Sequence, residues 1–135
     1  MSTAALENLK DLLHVGEQLL TPPLTYTLAF GAWDTGGHAC LLGHYERQYH
    51  RGLVVGGVGW IGSACEHFGL DGTDTRALFC SMWGDAPDWP GDAAYAELRL
   101  RLVYLRELIA MRERAISQPA YDVEEFEELV CEAAA

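Results

Sequence analysis

The chain has 135 residues, half of them apolar, with 20 carboxylates against nine basic side chains and a formal net charge of −11. That length suits one domain with an unaided hydrophobic core, and no apolar run reaches the 18 residues of a membrane span. So acidic a surface repels nucleic acid and lipid headgroups, which leaves a protein with a basic site as the macromolecule it can attract.

The start, "MSTAALENLKDLL", lacks a basic segment followed by an apolar one, so no export signal is read there. Residues 3–20 place apolar side chains at 6, 9, 12, 13, 19 and 20, the spacing of an amphipathic helix. Ser2 or Thr3 is its expected cap, and "TPP" at 21–23 its stop. "LTYTLAF" at 24–30 alternates like a short extended segment, and "GAWDTGG" at 31–37 reads as a loop. From His38 to Tyr49 the pattern returns to a helix, with Leu41, Leu42 and Tyr45 on its apolar face and Gly52 as its stop.

Gly69 is expected to end a further helix, and Thr73 or Asp74 to cap the next, which buries Ala77, Leu78 and Met82. "GDAPDWPGD" at 84–92 is a proline-held loop. Residues 93–116 form the strongest helical pattern, with Tyr95, Leu98, Leu102, Leu105 and Ile109 along one stripe. Glu97 stands four before Arg101, the favourable order for a helix pair. Leu100, Val103, Tyr104, Leu108 and Met111 widen the apolar surface, so this helix is either central or meets a partner on its second side, as in a homo-oligomer. Pro119 ends it, and an acidic helix capped by Asp122 follows, with Phe126, Leu129 and Val130 inward. The expected fold is therefore a mostly α single domain over 1–135, of five or six helices, with at most a short β-hairpin near 24–30.

Glycine is concentrated in "LVVGGVGWIGS" at 53–63. The turn "GGVGWIGS", with Gly57, Gly59 and Gly62, resembles the phosphate-binding turn of the extended short-chain dehydrogenases, which implies nucleotide binding where such a turn joins a strand to a helix. That family's catalytic Tyr-x-x-x-Lys has no counterpart, since Lys10 is the sole lysine. Gly52, Gly56, Gly59 and Gly62 also fall at steps of four, three and three, so on a helix they would line one face for close packing, together with Gly43.

Two further stretches, "GGHACLLG" (36–43) and "ACEHFGLDGTDTRALFCSMW" (64–83), resemble a family of small proteins of bacteriophages, prophages and actinobacteria. Cys40, Gly43, "FGL" at 68–70 and "LF" at 78–79 carry the resemblance, and Gly36 stands where that family has a cysteine. The resemblance covers about half the chain. It implies a small helical fold and a phage-like origin, without an activity.

His38, Cys40, His44, His50, Cys65 and His67 include the residue types of a Cys₂His₂ zinc set. None has zinc-finger spacing, and Cys65 and His67, two apart, would point to different sides of a helix. Neither a metal nor another cofactor is therefore assigned. Cys40, Cys65, Cys80 and Cys131 show no C-x-x-C spacing and are expected to be reduced, mostly buried thiols of a cytoplasmic protein.

The acidic excess is uneven. Seven carboxylates face Arg76 alone between Glu66 and Glu97, and six follow Pro119 with no base. The sequence therefore points to a non-enzymatic binding protein, phage-encoded, that occupies a basic, nucleic-acid-binding site on a host protein such as a defence complex, in the manner of an anti-CRISPR inhibitor. The expected contact residues are Asp71, Asp74, Asp85, Asp88 and Asp92 around Trp83 and Trp89, with Glu124, Glu125, Glu127 and Glu128 as a second patch. The alternative is a small metal- or nucleotide-binding protein or enzyme that uses the Cys/His set or the glycine turn.

Overall fold

The computed structural model describes residues 3–25, 27–28, 34–35, 38–55, 58–80 and 92–117. Five helices occupy most of them: α1 (Thr3–Leu20), α2 (Leu41–Tyr49), α3 (Trp60–Phe68), α4 (Gly72–Phe79) and α5 (Asp92–Ser117). The expected helix after Asp122 lies outside the described residues, as do Met82 and most of the 84–92 loop.

The extended segment expected near 24–30 contributes little. Leu28 makes one isolated parallel bridge to Ala39, and the Ala39 N–H donates to the Thr27 carbonyl at 2.9 Å. The antiparallel ladder lies later, between β1 (Asp34–Thr35) and β2 (His38–Ala39). The helix expected from His38 accordingly starts at Leu41.

The periodicity of α1 buries Leu6, Leu9, Leu12 and Val15, and these side chains meet α5, α2 and α3. At its end, Thr21 donates through Oγ1 to the Glu17 carbonyl at 2.8 Å, before Pro22 and Pro23 stop the turn. α2 closes at His50, which takes a left-handed conformation (φ 50°) and donates its N–H to the Glu46 carbonyl. Gly52, the expected stop, comes two residues later. α3 stops at Gly69, as expected, with the Gly69 N–H bonded to the Cys65 carbonyl. The cap of α4 is Asp71 rather than Thr73 or Asp74, because its extended backbone lets Oδ1 accept the Asp74 N–H at 2.8 Å.

These helices enclose one core. Leu9, Leu12, Leu41, Leu42, Tyr45, Phe68, Leu78, Leu98, Leu102 and Leu105 are each 0% exposed. The predicted α5 stripe is buried along its length, whereas Leu100, Val103 and Met111 are exposed.

The glycines do not form the packing face expected of them. A Cβ at Gly52, Gly59 or Gly62 would meet nothing within 4 Å. Gly59 serves a turn instead, entering α3 at φ 87°, where an L side chain is strained. Gly56 and Gly57 lie outside the described residues. The close approach belongs to Gly16 on α1, where a Cβ would run into both Leu102 methyls of α5. Gly16→Leu is therefore expected to cost roughly 1–3 kcal/mol through overpacking. Gly62→Ala, in open space on α3, should instead stabilise by up to about 1 kcal/mol. Urea midpoints of the two variants should move in opposite directions, and a loss in both would contradict this assignment of the glycines.

Candidate functional site

Only part of the acidic site expected from the sequence falls within the described residues. Asp71 and Asp74 begin α4 and Asp92 begins α5. Asp71 is exposed and its carboxylate caps α4. Asp74 is half-buried, and its Oδ1 accepts a short hydrogen bond from the Tyr104 hydroxyl of α5. That bond holds the Tyr104 proton and, with burial and the Asp74 charge, pushes the phenol up to about 12. Asp74 thus ties α4 to α5, while Asp71, Asp92 and the α3 residue Glu66 face solvent. Trp83, Asp85, Asp88, Trp89, Glu124, Glu125, Glu127 and Glu128 lie outside the described residues.

The Cys/His set does not converge. Cys40 is buried at the entry to α2, where desolvation pushes its thiol up. His44 bonds through Nε2 to the Thr27 carbonyl at 3.0 Å. His50 is the α2 cap, Cys65 Sγ lies 3.2 Å from Thr75 Oγ1, and the His38 side chain is not among those described. Among the described residues, no group of three His, Cys, Asp or Glu side chains could hold a metal ion. The glycine turn also lacks its context: residues 53–55 form no strand, and the one ladder among the described residues is the two-residue pair at 34–39.

His67 instead joins a cluster that sequence reasoning missed. Arg51, in the α2–α3 connection, donates through Nη1 to Asn8 Oδ1 and to the Tyr45 hydroxyl, both at 2.6 Å. Its Nη2 donates to Asp11 at 2.8 Å, and its guanidinium carbon lies 4.7 Å from the Tyr49 ring centroid. Glu46 receives the backbone N–H groups of Arg51 and Gly52 at 3.1 and 2.8 Å. Asn8 Nδ2 donates to the His67 carbonyl at 2.9 Å. Together these bonds fasten α1, α2, α3 and the α2–α3 connection to one another.

Proton positions in the cluster follow from donor chemistry. Arginine can only donate, so the Tyr45 oxygen accepts from Arg51 and its own proton goes to His67 Nε2, 2.8 Å away. The imidazole proton is then on Nδ1. Burial raises Tyr45 to about 12, against the opposing pull of Arg51. Burial first, and then the Arg51 charge, lower His67, with Glu46 and Asp11 opposing. Through the phenol proton donated to the neutral imidazole, this cluster ties α2 to α3. Beside it lies an open cleft of about 480 Å³, lined by residues that include Asn8, Arg51, Ser63, Glu66 and His67.

The lowered His67 fixes the sign of a pH effect. The folded state favours the neutral ring, while the unfolded chain titrates near pH 6.5. The stabilisation is therefore complete above that pH and is lost as pH falls through the lower folded value. Unfolding free energies from pH 7.5 to 5 should fall more steeply for the wild type than for His67→Gln, by at most about 1.4 kcal/mol per pH unit for one proton. Equal slopes would contradict the neutral assignment.

Comparisons with protein-family models, curated proteins and solved structures find no match to this chain.

Proposed function

We propose that this chain is a non-enzymatic, acidic binding protein that occupies a basic, nucleic-acid-binding site on a cytoplasmic host protein, as a phage-encoded inhibitor of a defence complex would. One observation carries the reading: four of the nine cations are paired with carboxylates of the chain itself. Lys10 reaches Glu7 at 3.6 Å and Glu113 at 3.9 Å. Arg51 pairs with Asp11 at 2.8 Å, Arg101 with Glu97 at 2.9 Å and Arg106 with Glu17 at 3.4 Å. At a net charge of −11, exposed carboxylates such as Glu66, Asp71 and Asp92 contribute to a negative surface.

In the sequence, Asp85 and Asp88 stand between Asp71 and Asp92, close to Trp83 and Trp89. Tryptophan supplies apolar contact area, and surrounding carboxylates steer a basic partner into place. Glu124, Glu125, Glu127 and Glu128 are the second set of contact residues in this reading. The test is displacement. A host nucleic-acid-binding complex captured on the immobilised chain is eluted with salt, freed of the chain and loaded with labelled nucleic acid, and free chain is then titrated in. Wild-type protein should release the label, and the Asp85→Lys, Asp88→Lys, Asp92→Lys variant should require much higher concentrations. Equal release by both, or none by either, would contradict the proposal.

A further inference from the structure

The outer face of α5 carries exposed apolar side chains. Over 26 residues, about 39 Å at 1.5 Å per residue, one side of the helix is buried in the core. On the opposite side, Leu100 is 68% exposed, Val103 53% and Met111 57%. Helical spacing aligns Ala96, Val103 and Ala110 on this side, seven residues apart, with Leu100 at their flank. The small alanines permit close approach of a second helix.

Charge identifies the occupant. α5 carries five arginines against four carboxylates, whereas the rest of the chain carries four cations against sixteen carboxylates. Two copies meeting through the rest of the chain would bring acidic surfaces together, and among the described helices α5 carries the net positive charge. Its exposed charges are also arranged symmetrically about Val103. Arg99 and Glu107 lie four residues to either side, and Asp92 and Arg114 lie eleven to either side. At the edge of the stripe, Arg106 and Glu113 turn towards Glu17 and Lys10 of α1.

We propose that α5 is a homodimer contact, with two copies antiparallel across a two-fold axis at Val103. Arg99 then faces the partner's Glu107, and each Val103 packs on its equivalent. A parallel pair would instead oppose Arg99 to arginine and Glu107 to glutamate, which disfavours it. An isologous arrangement makes the Arg99–Glu107 pair twice, once on either side of the axis.

Sedimentation of the full chain tests this. At about 100 μM, a concentration at which a dimer of even micromolar affinity is populated, the wild type should sediment at twice the 14.9 kDa of one chain. Val103→Glu, an exposed substitution that leaves the core intact, should sediment as a monomer with an unchanged circular dichroism spectrum. Arg99→Glu and Glu107→Arg should each weaken the dimer alone, because each opposes like charges. An equimolar mixture of these two variants should dimerise again, since each copy then offers the charge that the other requires. A monomeric wild type, a dimeric Val103→Glu, or a mixture no tighter than its components would overturn the proposal.

Discussion

Phe68→Ala is expected to destabilise the protein by about 3–5 kcal/mol. The side chain is 0% exposed and ends α3. Its ring centroid lies 4.7 Å from that of His67, 5.1 Å from that of Tyr45 and 5.8 Å from that of Phe79. Truncation removes apolar burial and the edge-on ring contacts together, and leaves a cavity between helices that cannot close fully. Such a loss is a large share of the roughly 5–15 kcal/mol that holds a domain folded. It also loosens the α3–α4 corner that carries Glu66, Asp71 and Asp74. Urea unfolding of the variant should show a lowered midpoint, and a loss below 1 kcal/mol would place Phe68 outside the core.

The second large effect belongs to Arg101. Its side chain is 3% exposed and its partner Glu97 16%. The guanidinium donates to Glu97 at 2.9 Å and to the Leu78 carbonyl, near the end of α4, also at 2.9 Å. Burial draws its proton affinity down, and the Glu97 carboxylate opposes that. Arg101→Met leaves the carboxylate without its counter-charge and the carbonyl without its donor, at an expected cost of about 3–5 kcal/mol. Arg101→Met combined with Glu97→Leu removes both desolvated charges and should recover most of that loss. Equilibrium unfolding of the wild type, the single variant and the double variant decides this. A double variant as unstable as the single one would show that the pair is not the source of the cost.

These two residues also mark how far the sequence could be read. Helical periodicity found α1 and α5 almost to the residue, because each carries a long stripe that must be buried. It also recognised Glu97 and Arg101 as a helix pair, but spacing cannot show that the pair is enclosed by α4. Caps are harder to read: the sequence favours Thr73 or Asp74 where Asp71 caps α4, and Gly52 where His50 closes α2, since several nearby residues suit each end. A lone glycine within a helix, such as Gly16, gives no sign of the leucine opposite. The Arg51 cluster was hidden for a related reason. Its bonds join Asn8 to residues 43 and 59 positions away, and no local pattern foretells such a meeting. The Cys/His set looked suggestive in sequence, yet α2 and α3 turn its members to separate partners.

The central claim is that the acidic surface exists to bind a basic protein site. It is tested most directly by the association rate constant of the chain with its captured host partner, measured over a salt series for wild type and for the Asp85→Lys, Asp88→Lys, Asp92→Lys variant. Steering by exposed charge predicts a wild-type rate that falls as salt is added, and a variant that associates slowly at low salt and responds little to more. A wild-type rate indifferent to salt and matched by the variant would contradict the claim and leave the carboxylates with solubility as their role.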